Sequence, residues 1–232
     1  DAIPEKVFVI EYAFDSIDRI RESYNTFDSP DATEKNQEKL FGILSGMYNY
    51  TPVSDKLMKG QILTGLNKAC HFFFPETWNQ LNVKPSEIPG QVGAFLEEIK
   101  ALDKIITTSS NWDQALVCTA LMSLKKYGCY NDKLIEGLKD IDQKACNTKG
   151  KDWDGITHIV WEWTNSNIFK SKGTSWFIAD GLNRTVSYAC YWIDKYMNDE
   201  TGSKLGKNWD KIAFKWKDQQ VTTLQRAFSI AS

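Results

Sequence analysis

Apolar residues recur every three or four positions along most of the chain, the spacing that places them on one face of an α-helix. Four such stripes lie before residue 107. Each one predicts a helix that packs one apolar face against a core. The stripes are Val7, Ile10, Phe14, Ile17 and Ile20; Leu40, Phe41, Leu44, Met47 and Tyr48; Leu57, Met58, Ile62, Leu66 and Ala69; and Val92, Phe95, Leu96, Ile99, Leu102 and Ile106.

Short polar segments rich in Ser, Asn, Asp, Gly and Pro separate the apolar stretches and read as connections. They lie at 27–31, 50–55, 84–90, 107–111, 146–152 and 198–208. No stretch shows sustained strand-like alternation with hairpin turns. We therefore predict an all-α fold, a multi-helix bundle of about eight to ten helices. The bundle is expected to form a single compact helical domain over residues 1–232.

Two stretches share the pattern Tyr-x-Cys-Tyr with Asp-Lys close behind, KYGCYNDK at 126–133 and SYACYWIDK at 187–195. Each is followed by Gly-Lys-(Asp/Asn)-Trp-Asp-x-Ile, at 150–156 and at 206–212. This ordered agreement indicates internally duplicated helical-hairpin units at about 112–161 and 176–216. The two Tyr-x-Cys-Tyr stretches are then expected at equivalent ends of two copied helices. The motif residues are Tyr127, Tyr188, Trp112, Trp153 and Trp209.

Several tryptophans share a small frame, as in SNWDQA at 110–115 and KDWDGI at 151–156. Each has a Thr, Asn or Asp before Trp and an Asp or Asn after it, which suits a helix start. Asn111 with Gln114 resembles a capping box. We interpret these tryptophans first as structural residues that fold over a neighbouring helix.

Five cysteines permit two disulfides and one odd thiol, and their spacing fits no zinc site. On one continuous helix, Cys118 and Cys129 would project from the same face about 16 Å apart, too far to bond each other. We predict a disulfide-stapled bundle whose connectivity the sequence leaves open. The alternative is buried, reduced thiols in a cytosolic protein. The candidates are Cys70, Cys118, Cys129, Cys146 and Cys190.

The charge pattern argues against nucleic acid as a partner, because the net charge is −2 and basic and acidic residues are interleaved. No apolar run approaches the roughly 20 residues of a membrane span. The chain starts at Asp1 without an initiator Met, as after removal of a signal peptide or trimming. Two glycosylation sequons begin at Asn49 and Asn183. These signs favour a secreted protein, and the sequons make it a candidate glycoprotein.

The Cys…Tyr-x-Cys arrangement resembles the bicycle proteins, a family of secreted effectors from gall-forming aphids. The first motif comprises Cys118, Tyr127 and Cys129, and the second keeps Tyr188 and Cys190. Ala179 stands where the leading cysteine of the second motif would match, unless Cys146 takes that part from further away along the chain. The resemblance implies a protein injected into plant tissue to alter host development, with no enzymatic mechanism to carry over.

Candidate chemistry is sparse, and we predict no catalytic residue, no cofactor site and no metal site. Neither His71 nor His158 has a neighbouring sequence that suggests a catalytic triad, and each is expected in the core or at a helix end. Paired acids such as Asp140 with Asp142, and Glu97 with Glu98, are expected to face solvent.

Aromatic residues are concentrated between Trp153 and Tyr191. Such side chains can fill a core, enclose an apolar ligand or anchor a protein interface. The duplicated scaffold, the signs of export and the lack of catalytic motifs predict a secreted, non-enzymatic effector that acts by binding a protein partner, such as a host factor. The alternative is a secreted helical carrier of a small apolar ligand.

Overall fold

In the computed structural model the chain divides into two compact units, Asp1–Lys35 and Asn36–Ser232. The structure describes residues 36–78, 84–144, 153–165 and 179–202, together with Ser16. All the described helices belong to the second unit. The first predicted stripe, over residues 7–20, lies outside them. The single-domain extent 1–232 stays a prediction.

The described residues form nine α-helices, with no strand beyond an isolated bridge between Trp153 and Gly202. This confirms the all-α prediction, whereas the predicted total of about eight to ten helices applies to the whole chain and stays a prediction. None of these helices combines the length and apolar character that a membrane crossing requires. The helices are α1 (Asn36–Gly42), α2 (Asp55–Met58), α3 (Leu63–Phe73), α4 (Ile88–Ala94), α5 (Leu96–Ile105), α6 (Gln114–Tyr127), α7 (Asp132–Gln143), α8 (Gly155–Asn165) and α9 (Ala179–Met197). Helix α1 continues as a π-helical segment, Ile43–Met47.

Helix α6 is the centre of the bundle. Every residue from Ala115 to Leu124 is buried, so the helix is covered on all sides. It packs against α3, α5, α7 and α9, while α8 packs against α7 and α9. A helix that is apolar all round belongs in the interior of a bundle, because any exposed face would leave apolar area in water.

Two of the predicted helices are each split in two by the fold. The stripe from Leu57 to Ala69 is interrupted after Met58 by a turn in which Gly60 has a φ of 60°, and α3 begins at Leu63. The stripe from Val92 to Ile106 breaks at Phe95, whose backbone leaves the helical region between α4 and α5. The apolar period continues through both breaks, because the residues on either side still face the same core.

The predicted polar connections at 27–31 and 146–152, and the part of the last one after residue 202, lie outside the described residues. Those that the structure describes lie between helices, with one exception. Residues 50–54 are non-helical, and Ser54 caps α2 by accepting a hydrogen bond from Leu57 N. The segment 84–90 was predicted as a connection, but α4 begins inside it at Ile88. Proline at the first turn of a helix is tolerated because its missing N–H would have no partner there, so Pro89 does not prevent this start.

Candidate functional site

The first Tyr-x-Cys-Tyr stretch lies at the end of α6. Tyr127 is the last residue of the helix, and its hydroxyl donates to Asp194 of α9. Lys126 Nζ reaches the same carboxylate at 2.7 Å. Gly128 then adopts a φ of 95°, which only glycine tolerates well, and Cys129 follows in the turn before α7. The tyrosine of this motif therefore joins α6 to α9.

The second stretch is not the structural equivalent of the first. Tyr188 and Cys190 lie in the interior of α9, both buried, whereas Tyr127 and Cys129 lie at a helix end and in a turn. The prediction of equivalent helix ends is wrong. It failed because Gly128 ends α6, while the matching position, Ala189, continues its helix. The downstream copy at 206–212, including Trp209, lies outside the described residues.

The predicted disulfides are absent among the described cysteines. Four of the five candidates are free thiols, and Cys146 lies outside the described residues. Because Gly128 ends α6, the expected shared helical face of Cys118 and Cys129 does not exist. Burial raises the pKa of each described thiol. The buried members behave as small apolar residues: Cys70, Cys118 and Cys190.

Trp112 and Trp153 do lie at helix starts, but the cap is the aspartate that follows each of them. Asp113 accepts a hydrogen bond from Leu116 N at 2.8 Å, and Asp154 accepts one from Thr157 N at 2.7 Å. The predicted capping box at Asn111 is wrong, since its amide donates to Asp142 O instead. The structural role of Trp112 is confirmed by its full burial.

The aromatic cluster between residues 153 and 192 is packed ring against ring. His158 stacks on Trp192 with ring centroids 3.7 Å apart and an interplanar angle of 16°. Trp153 lies 5.2 Å from His158 and 5.7 Å from Trp161, again between centroids. These side chains fill the space around one another. Trp176 and Phe177 lie outside the described residues.

Both histidines are located as predicted. His158 is buried, and its Nε2 lies 2.9 Å from Gly202 O. His71 lies in the last turn of α3 with Nδ1 3.0 Å from Trp78 O, and burial lowers its pKa. No group of three or more His, Cys, Asp or Glu residues in the described ranges is arranged to hold a metal ion.

Two of the acids expected in solvent are buried instead. Glu98 is buried, and its carboxylate forms an ion pair with Lys125 Nζ at 3.3 Å. Asp142 is 1% exposed and accepts hydrogen bonds from Thr107 N, Thr108 N and Trp112 Nε1. The prediction failed because the donors come from a loop about thirty residues away along the chain, which no local pattern reveals.

A surface groove lies between α5 and α7 and is the strongest candidate site in the described part of the chain. We call it the α5–α7 groove. Its cavity volume is about 290 Å³. Its apolar lining, Ala101, Ile105 and Ile135, is buried or half-buried, and we call it the lower surface. Its lysines, Lys100, Lys104 and Lys139, are half-buried or exposed, and we call them the rim. Two residues of the turn between α6 and α7 also line it. The lining residues are Glu97, Lys100, Ala101, Lys104, Ile105, Cys129, Tyr130, Ile135 and Lys139.

The charges around the α5–α7 groove are unbalanced. Lys100 Nζ is 2.9 Å from Glu97 Oε1 and also lies over the Tyr50 ring. Lys104 and Lys139 form no ion pair with any described residue. The rim therefore has two ammonium groups without a counter-charge.

Tyr130 makes the α5–α7 groove unusual as a surface. It is 86% exposed, the most exposed of the large apolar and aromatic side chains in the described residues. It stands in the same turn as Cys129, which is half-buried against the groove. A large aromatic ring left in water beside an apolar groove is typical of a binding surface. The sequence interpretation named Tyr127 and Tyr188 as motif residues but not Tyr130.

The two sequon asparagines lie in different surroundings. Asn49 is exposed and has a φ of 48°, just after the π-helical segment. Asn183 lies on the backbone of α9. Their glycosylation stays a prediction.

No protein-family model, curated protein or solved structure matches this chain significantly.

Proposed function

We propose that this protein is a secreted, non-enzymatic binding protein that acts through protein–protein interaction, and that the α5–α7 groove is its binding surface. The observation that carries the proposal is the exposed Tyr130 beside an apolar groove. Tyrosine is enriched among the residues that dominate interface energetics, because its rigid ring buries much area at low entropic cost.

The size of the groove favours a side-chain anchor over a lipid. Pockets that enclose drug-sized ligands are about 300–1,000 Å³, and this cavity has about 290 Å³. It would hold one or two apolar side chains but not a long acyl chain. The aromatic cluster around Trp192, the other site considered for a carrier, is filled by its own rings. Tryptophan quenching with a panel of lipids tests the carrier function, which requires saturable uptake.

The resemblance to bicycle effectors supports an action in plant host tissue. The free thiols do not conflict with export, since burial raises their pKa and so suppresses the reactive thiolate. The two Tyr-x-Cys-Tyr stretches are proposed to be related by duplication in sequence, although they occupy different positions in the helices.

Affinity capture from host plant tissue tests the proposal, with the wild-type protein and Tyr130→Ala compared. Because Tyr130 is exposed, its truncation should leave the fold intact while lowering recovery of a specific partner by about tenfold or more. Val53→Ala is the matched control, since Val53 is also exposed but does not line the groove. Equal recovery by wild type and Tyr130→Ala would reject the groove as the binding surface.

A further inference from the structure

The charge on the rim determines what the α5–α7 groove can attract. Three lysines face one carboxylate, and only Lys100 is neutralised by it. Lys104 and Lys139 stand on opposite helices, α5 and α7, so the two ammonium groups flank the groove. A lysine ammonium is a point charge with rotatable donors, so it can pair with a carboxylate in more than one geometry. The rim therefore fits a ligand with negative charge on both sides of its centre.

The lower surface of the groove requires an apolar group between those charges. Ala101 and Ile105 lie four residues apart on α5, and Ile135 faces them from α7. An apolar side chain seated there would remove this surface from water, at roughly 25 cal/mol per Å². A purely anionic ligand such as free phosphate would leave the same surface wet.

Resting on the proposed function, we infer that the α5–α7 groove binds an acidic peptide segment of the partner that carries one apolar anchor side chain between carboxylates. The anchor enters the groove over Ala101 and Ile135. The flanking carboxylates pair with Lys104 and Lys139. The exposed ring of Tyr130 covers the peptide where it leaves the groove.

The peptide specificity is tested by selecting random 12-residue peptides displayed on phage against the immobilised protein. We expect enrichment of sequences with a Leu, Ile or Phe flanked by Asp or Glu. Selected peptides, synthesised with a fluorophore, are then titrated by anisotropy. Their affinity should fall by about tenfold or more between roughly 0.05 and 0.5 M salt, because screening weakens exposed charge pairs.

Four variants locate the site. Lys104→Glu/Lys139→Glu reverses the rim and should weaken peptide binding by about tenfold or more. Lys59→Glu/Lys84→Glu makes the same change in net charge away from the groove and should leave binding within about twofold. Ala101→Leu fills the lower surface and should abolish binding, whereas Ala101→Ser keeps the space open and should bind.

The outcomes separate this inference from the proposed function. The acidic-peptide inference would be overturned if no sequence is enriched or if the enriched sequences are basic or neutral. It would also be overturned if the rim reversal leaves peptide binding unchanged. Displacement of the peptide by phosphatidylserine vesicles would also overturn it, if the vesicles bind the same lysines with higher affinity than the peptide does. If a captured partner depends on Tyr130 but contacts the groove through a non-acidic segment, the inference fails and the proposed function stands. If acidic peptides bind the groove but no captured protein depends on it, the groove has the inferred peptide specificity and the proposed function fails.

Discussion

At the scale of single residues, two buried carboxylates hold the connections of this bundle in place. Asp103 accepts hydrogen bonds from Tyr50 OH at 2.6 Å and from Ser54 N at 2.9 Å. Asp142 does the same for the loop that carries Thr107 and Trp112. A buried carboxylate is stable only when such donors satisfy it, so each one specifies the conformation of its loop.

Replacing Asp142 with asparagine tests this role. Asp142→Asn retains the shape but offers one acceptor oxygen to donors that now use two, and it turns an amide N–H₂ toward them. We expect the free energy of unfolding to fall by about 2–4 kcal/mol, measured by urea denaturation followed through tryptophan fluorescence. Asp140→Asn on the same helix is the control, since burial and nearby acids raise the pKa of Asp140 and removing its charge should cost nothing. Equal stability of the two variants would contradict the role of Asp142.

The cap of α6 gives a prediction of pH dependence. Burial raises the pKa of Asp113 from 3.8 to about 6. Between these values the folded protein holds a proton that the unfolded chain has released, so this residue lowers stability as pH rises from about 4 to about 6. Asp113→Asn keeps a good capping oxygen and removes the titration. The stability of the variant relative to wild type should therefore increase with pH across this window and stay constant above it.

Urea unfolding at a series of pH values measures this difference. Asp113→Ala is the companion variant, because it also removes the titration but loses the cap, and it should be less stable than Asp113→Asn by about 1 kcal/mol at every pH. A constant difference between Asp113→Asn and wild type from pH 4 to 7 would show that the raised pKa is absent.

At the scale of helices, the sequence predicts what depends on periodicity and misses what depends on a local turn. The stripe from Val92 to Ile106 correctly indicated helical structure, although the fold divides it between α4 and α5. Trp-Asp correctly marked the starts of α6 and α8. The turn at Gly60 was missed because an apolar stripe looks the same whether one helix or two present it. Cap positions were misplaced by two residues at α6, since both Asn111 and Asp113 are good capping residues.

The packing of α8 on α9 depends on the absence of a side chain at Gly155. A Cβ at this position would lie 1.7 Å from the carbonyl oxygen of Trp192, a backbone atom that cannot rotate away. Gly155→Ala should therefore destabilise the fold by about 3 kcal/mol or more, although alanine is the better helix former. Thermal unfolding followed by circular dichroism measures the change.

Gly46→Ala provides the matched control for this contact. Nothing lies within 4 Å of a Cβ added at Gly46, which is exposed in the π-helical segment. That variant should be as stable as wild type or more stable by about 0.5 kcal/mol. If both alanine variants unfold at the wild-type temperature, α8 and α9 are not in the close contact that the structure gives them.

At the scale of the whole molecule, the candidate site could be predicted only in fragments. Lys100 and Lys104 lie four residues apart beside Ala101 and Ile105, so one face of α5 could have been recognised as half apolar and half basic. The pairing of that face with α7 is a long-range contact that one sequence cannot specify. Tyr130 was read as part of a repeated motif, and its exposure follows from the turn after Gly128.

The oxidation state of the cysteines distinguishes a bundle cross-linked by disulfides from one held together by core packing alone. Cys70, Cys118 and Cys190 are buried on three different helices around the core, and burial raises the pKa of all three thiols. They should remain reduced and should not react with iodoacetamide in the native protein, because the reagent needs an accessible thiolate. Cys129, half-buried in its turn, should be alkylated first.

Peptide mapping of protein alkylated before and after unfolding in urea measures both properties. In the native sample, label on Cys129 should exceed label on the other three by about tenfold or more. In the unfolded, unreduced sample all four should be labelled, which serves as the control for reactivity. A disulfide that joins any two of them would restore the stapled scaffold and refute the packed one. In a core without disulfides, Cys118→Ala should lower the free energy of unfolding by about 1–2 kcal/mol, because only apolar contacts are lost. If Cys118 forms a disulfide, the loss should be larger.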